Sequence, residues 1–581
     1  MGETSTEGLG TERTPRRDGM SRRTVVKGAA WSIPVIATAA AVPSAAASGP
    51  LRADLAAPGG CVAPGTALVD PAVTVTVSDT TGVVAGATVV LVFTSADGGS
   101  VVHGGQSYPG SSVVVQGTTD AAGKVQFTGF TAGTAGTVDV VAQVQTADGR
   151  AVTSNAGALT ICQPAGNIWG WGRNASGEHA QGNGVSPTTT MVPWKADAAT
   201  LFSGATSVAG AWGSFTALKS DGTLWSTGAG LEGQLGNGTP QTGSAANAVF
   251  PKQAVYYGSG APVQGMARLV GSRGIDCTMF AQAADGTWWA TGEHGGPEQV
   301  DLFALGTNDN GTTVSQYNSY VQVGQALPGG AGAVKEVNTA NWWRYVYLMK
   351  DGTVYSAGRN TFNAAGIGPG KTDVYLTSYA NSTEGYGVAK TADGAVFKAD
   401  QMVADERNTF YIGQDGKLYG SGENLYGQLP GTGATTVPWV TPLMDLPNGA
   451  TPVKIWAGPL RLFVKASDGN VYAAGRNAGG QLGVGDSADK SQWARVLVDE
   501  EIVDVQSSRN GADHAYPRTM FLTASGKVFY TGSTVEGGLS DGNGADTYLS
   551  TPAAVVLPAG KKAVSIAVDH EISQAAILVD A

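Results

Sequence analysis

The chain has 581 residues, enough for several domains, and only 14% of them are charged. Gly fills 85 positions with no collagen-like period, a composition that fits many tight turns. A formal net charge of −11 repels phosphate backbones and argues against nucleic-acid binding. No window shows a sustained 3.6-residue apolar stripe with caps, which argues against a helical fold.

Residues 1–47 read as a targeting segment. Ser21-Arg22-Arg23-Thr24-Val25-Val26-Lys27 precedes a mildly apolar run to Ala41 and then Pro43-Ser44-Ala45-Ala46-Ala47. Paired Arg, a modest apolar region and small residues at its end match a twin-arginine signal cleaved after about Ala47. An uncleaved anchor is the alternative, but Pro34 and Pro43 make a poor spanning helix. No later apolar run is long enough to cross a bilayer, so no integral membrane segment is expected in the mature chain. Without residues 1–47 the balance is 29 basic against 42 acidic residues, a net charge of −13.

Residues 51–162 read as a β-sandwich. Alternating runs occupy 72–78, 87–94, 111–117, 124–130, 138–145 and 159–162, separated by signals such as Asp97-Gly98 and Asp148-Gly149. The stretch Thr118-Thr119-Asp120-Ala121-Ala122-Gly123-Lys124-Val125 and Gly136-Thr137-Val138-Asp139-Val140-Val141-Ala142 resembles bacterial immunoglobulin-like domains of the invasin type, which implies a spacer or adhesive stalk. Cys61 and Cys162 bracket this unit, and an exported chain meets an oxidising compartment, so the two are expected to form a disulfide. Cys277 is left over in an apolar context and reads as a buried thiol. Only Gln163-Pro164-Ala165 separate this unit from the C-terminal region of the chain.

Residues 166–581 hold one pattern seven times: Gly-x-(aliphatic or Trp)-aromatic-x-x-Gly. It opens at Gly166, Gly222, Gly286, Gly352, Gly416, Gly469 and Gly526, and closes at Gly172, Gly228, Gly292, Gly358, Gly422, Gly475 and Gly532. Seven nearly equal units predict a closed array of four-stranded sheets. Asp precedes five of the anchors, and Asp-Gly between alternating runs predicts a type I′ hairpin. Gly233-Gln234-Leu235-Gly236, Gly427-Gln428-Leu429 and Gly480-Gln481-Leu482-Gly483 follow the closing Gly. Here the chain resembles the regulator of chromosome condensation repeat family, which implies a seven-bladed β-propeller. That family often has His eight residues before the anchor, where this chain has Ser214, Thr278, Arg344, Asn408, Arg461 and Arg518. The full reading is all-β: a seven-bladed β-propeller with an N-terminal immunoglobulin-like sandwich.

Asp393-Gly394 imitates an eighth anchor but lies too close to Gly416 to build four strands. The run Ala575–Ala581 resembles the strand before an anchor, so it is expected to pair beside Ile168–Trp171 and close the ring.

No catalytic motif is present, so no catalytic residue, metal or cofactor is assigned. His103, His179, His294, His514 and His570 form no metal-binding spacing; Glu178-His179, Glu293-His294 and Asp569-His570-Glu571 read as solvated loops, with metal ligation as the alternative. Arg173-Asn174, Arg359-Asn360 and Arg476-Asn477 follow the closing Gly. The Asn belongs to the repeat, and the three Arg are candidates for a partner-facing cluster. Ten residues before the anchors stand Trp212, Trp342 (with Trp343 beside it) and Tyr516. They read as loop aromatics on one face, the kind of anchor a protein or a sugar ring uses; packing onto neighbouring blades is the alternative.

The expected function is non-catalytic binding of an extracellular or cell-surface protein. Secreted members of the resembling family include β-lactamase inhibitors that bind with loops of one face. Cell-wall polysaccharide or other carbohydrate attachment is a second reading, and a propeller enzyme with an axial site a third. Guanine-nucleotide exchange, known for nuclear relatives, conflicts with export and acidic charge.

Overall fold

The structure is a computed structural model. It describes residues 51–580 except 57–60, 63–67, 69–71, 96–99, 109–113, 133–135, 162–164, 240–246, 273–276, 294–302, 304–315, 341–343, 370–374, 377–386, 511–514, 570–572 and the single positions 156, 361, 406 and 546. The expected export segment, Cys162, Trp342, Trp343, His294, His514 and His570 therefore lie outside the described residues.

Residues 52–161 supply three sheets. One joins Arg52–Ala56, Val73–Asp79, Gly82–Val83 and Lys124–Phe127. A second runs through Cys61–Val62, Gly157–Ile161, Gly136–Gln145, Thr88–Thr94 and Val115–Thr118, with Ala151–Thr153 attached. A small third sheet holds Phe130–Ala132, Val101–His103 and Gln106–Tyr108. Side chains alternate along the strands, so Val73, Val75 and Val77 of the first sheet share one core with Val89, Leu91, Val138 and Val140 of the second. The sequence reading missed Arg52–Ala56, whose inward face is only Ala53 and Leu55, and the short Val101–Tyr108 hairpin.

Among the described residues of 167–580 are seven more antiparallel sheets, each an up-and-down meander, with Tyr375–Leu376 and Gly387–Val388 sharing the last position of the fourth. The second runs Ala205–Ala211, Ser214–Lys219, Leu224–Gly228, Ala248–Gln253. The first is assembled from both ends of the region: Lys561–Val568 and Ser573–Asp580 give its first two strands, Asn167–Gly172 and Thr188–Pro193 its third and fourth. Asn167 faces Leu578 and the register holds to Gly172 opposite Ser573, the expected closing pair. Seven apolar clusters fill the gaps between successive sheets. One of them joins Met520 and Tyr530 of the last sheet to Ala576 and Leu578 of the first.

The Asp-Gly turns differ from expectation. Gly222 N donates to Lys219 O at 2.9 Å, and Gly222 takes a φ of 78° while Asp221 is not left-handed. A type I′ turn needs two left-handed residues; this is a type I turn closed by a left-handed Gly. Asp221 is held in place because its Oδ1 accepts from Thr223 N at 3.0 Å and Thr223 Oγ1 at 2.6 Å. The closing Gly of every repeat also has positive φ, from 91° at Gly172 to 117° at Gly422. Asp393-Gly394 closes only a local turn, Gly394 N to Thr391 O at 2.9 Å.

Candidate functional site

Because strands alternate in direction, the turn joining strands one and two of a sheet and the segment leaving strand three emerge at the same end. Backbone bonds tie the two together: Ala229 N donates to Gly213 O at 2.7 Å, and Arg476 N to Leu460 O at 2.9 Å. This end therefore carries Trp212 on the first kind of connection, Arg173 and Arg476 on the second, Tyr516 near the start of the second strand of the last sheet and Arg359 at the end of a third strand.

Trp212 sits on the turn and is 42% exposed. Its carbonyl accepts from the buried amide of Gln234 at 3.2 Å, so the Gly-Gln-Leu-Gly element braces the turn from beneath. Tyr516 is not in a loop, contrary to expectation. It lies in the strand Ala515–Thr523, half-buried, with a φ of 51° next to a register shift between Ser508 and Asn510. A bulge lengthens that hairpin and carries pairing past the point where the other sheets turn. Arg476 places its guanidinium 5.1 Å from the Tyr426 ring centre. Arg173 is half-buried, and its carbonyl accepts from Ser573 Oγ at 2.8 Å. The side chain of Arg359 lies outside the described residues.

The Asn of the Arg-Asn pairs is structural. Asn477 Oδ1 accepts from Leu482 N at 2.9 Å, and its Nδ2 donates to Asp486 O at 2.8 Å and Ala488 O at 3.1 Å. Asn174 Oδ1 accepts from His179 N at 2.8 Å, and Asn360 Oδ1 from Ala365 N at 2.9 Å.

Below this end lies a buried polar layer. The positions eight before each anchor, with Ser573 completing the set, all pair with the closing Gly of their sheet. All three Arg at these positions bond into the following sheet, Arg518 through Asp569 O at 3.4 Å. Arg344 donates to Thr409 Oγ1 at 2.7 Å and Asn408 O at 2.9 Å; Arg461 donates to Ser507 Oγ and Ser508 O, both at 2.8 Å. Arg518 lies 3.9 Å from Asp569, both side chains fully buried, and burial pulls its guanidinium below the ordinary value. These groups brace the ring rather than face a ligand.

Glu178-His179 is corrected. Both residues are fully buried, Glu178 accepting from Ser176 N at 2.9 Å, because the segment packs back onto its own sheet. Burial drives the His179 imidazole down to about 3, with the Trp171 backbone pulling weakly the other way. Between pH 6.5 and 3 the unfolded chain binds a proton here that the folded chain refuses, so this contribution is present above the unfolded value and lost on acidification. Urea titrations at stepped pH should show wild type losing up to about 1.4 kcal/mol per pH unit more than His179→Gln across that window. Parallel curves would refute the buried neutral imidazole. Cys277 is buried, as read from its context.

Sequence reasoning missed Leu425, Tyr426 and Tyr548 at the same end. Leu425 is 57% and Tyr548 55% exposed. A signal existed for Leu425: the residue two before the Gly of Gly-Gln-Leu is exposed in three sheets, as Leu231, Leu425 and Ala478. Among the described residues no group of three His, Cys, Asp or Glu is placed to hold a metal ion.

No family model matches the chain. Over 135 residues it is 32% identical to the human E3 ubiquitin-protein ligase HERC2, covering 23% of this chain and 3% of HERC2. It is 24% identical over 225 residues to the Ultraviolet-B receptor UVR8 of Arabidopsis thaliana, 38% of this chain and 45% of that one. The chain thus spans less than half the length of either relative. Prp20p of Saccharomyces cerevisiae, the yeast RCC1, which was studied for binding to Gsp1p and histones, superposes with a TM-score of 0.55 at 15% identity, over 72% of this chain and 92% of that one. The likeness shows the fold: all-β, of propeller type.

Proposed function

We propose that the chain belongs to the RCC1 repeat family and is an exported, non-catalytic binding protein: a seven-bladed propeller behind an immunoglobulin-like spacer, engaging an extracellular or cell-surface protein through the end that bears Trp212. One observation carries the reading. Trp212 is exposed on a turn braced by Gln234, at the same end where the Arg344 and Arg461 groups are used up between sheets. A rigid frame presenting an exposed aromatic loses little entropy on binding. The relatives support a protein partner, since Prp20p binds Gsp1p and histones. The twin-arginine segment supports export.

The test is capture from culture supernatant and envelope extract on immobilised chain, wild type against Trp212→Ala and Trp342→Ala. The expected result is a protein retained by wild type and lost by the variants, in amounts unaffected by soluble sugars. Sugar-sensitive retention of wall polysaccharide, equal on all three, would favour the attachment reading instead.

The sandwich is proposed to be stapled by Cys61 and Cys162. Parallel pairing sets Cys61 opposite Thr160 and Val62 opposite Ile161, one residue short of 162. Peptide mapping under non-reducing conditions should recover a Cys61–Cys162 link; free thiols at both would refute it.

A further inference from the structure

We propose that the binding end carries, across the fifth to seventh sheets, a subsite for an acidic side chain flanked by an apolar residue on the partner protein; this rests on the proposal that the Trp212 end is the one that binds. Two arginines there share one arrangement but differ in one respect. Arg407 lies 4.5 Å from the Phe362 ring centre, and its charge is met by Glu423 at 2.9 Å. Arg476 lies 5.1 Å from the Tyr426 ring centre, and among the described residues no carboxylate is within ion-pair distance of it. In a chain of net charge −11 this guanidinium keeps its charge for an acid from outside, and stacking holds its fork in place for a planar carboxylate.

The surroundings supply the apolar half. Three residues on, Gly479 is buried, and a Cβ there would lie 2.8 Å from Pro517 and 3.1 Å from Tyr548, so its missing side chain lets these two residues pack down against it as an apolar shelf. Leu425 and Tyr548 are both more than half exposed. A phosphate backbone would need several cations and would be repelled by the overall charge, whereas one Glu or Asp beside a Leu or aromatic residue matches one Arg beside this shelf.

The probe is a cyclic-peptide phage library panned on the purified full chain. Selected peptides are then measured by fluorescence polarisation against wild type, Arg476→Gln, Tyr548→Ala and Trp212→Ala, each first shown by thermal melting to be folded. The expected consensus pairs Asp or Glu with an apolar neighbour. Arg476→Gln should weaken binding about thirtyfold, and neutralising the peptide acid should weaken wild type but not Arg476→Gln. A consensus without an acid, no binder, or equal affinity for wild type and Arg476→Gln overturns the subsite. Loss in Trp212→Ala alone leaves the binding end standing without it. Binding unmoved by all three variants removes both.

Discussion

Deleting Ser573–Ala581 is expected to abolish the single cooperative unfolding transition of the repeat region. The strand Ser573–Asp580 lies inside its sheet, between Lys561–Val568 and Asn167–Gly172, so its loss strips backbone partners from both. It also removes Ala575, Ala576, Ile577 and Leu578, all buried in the clusters on either side. Emptying one buried Ile or Leu position costs about 2–5 kcal/mol, and two such positions plus a broken ladder match the whole stability of a typical domain, about 5–15 kcal/mol. Calorimetry should show a broad, low-enthalpy transition with Tm lowered by more than about 10 °C. An unchanged melting curve would mean that the ring does not depend on this closure.

Gly292→Ala should be the most damaging small substitution. Gly292 has φ of 104°, and a Cβ there would lie 1.8 Å from Cys277 O, a backbone atom that precedes the strand Thr278–Ala283 and accepts from Glu293 N at 3.4 Å. The strain of the left-handed backbone adds to a clash that only a backbone shift relieves, for a combined cost of about 3–5 kcal/mol. Gly258→Ala separates the two effects: φ is 78° there, but nothing lies within 4 Å of the added carbon. It should cost only about 1 kcal/mol. Similar urea midpoints for the two variants would show that the clash is relieved and that strain alone requires Gly.

The same geometry explains why so much of the fold was legible. The closing Gly recurs because its Cβ would strike the residue before its cross-strand partner: Gly213 O at 2.3 Å from Gly228, Leu460 O at 2.3 Å from Gly475 and Pro517 O at 2.2 Å from Gly532. A steric rule applied once per sheet leaves a visible period. The Gln of Gly-Gln-Leu recurs for a related reason, since Gln428 Oε1 accepts from Tyr426 N at 3.0 Å and Gln481 Oε1 from Gly479 N at 2.9 Å. The polar layer was less legible. Arg344 and Arg461 read as departures from a family pattern, and only their reach into the next sheet gives them a role. Glu178-His179 misled because a polar pair between glycines reads as loop, whereas the segment folds back under cover. The candidate site was half legible: Trp212 and Arg476 stood at repeat positions, but Tyr548 opens a fourth strand, where the repeat has no fixed residue.

Binding through one end of the sheets is tested most directly by hydrogen–deuterium exchange of the full chain, with and without the protein captured from supernatant or envelope. Slowed exchange in peptides covering 205–216, 424–430, 474–482 and 516–520 is the predicted result. Protection confined to the opposite turns, 219–223, 283–287 and 466–470, would contradict it.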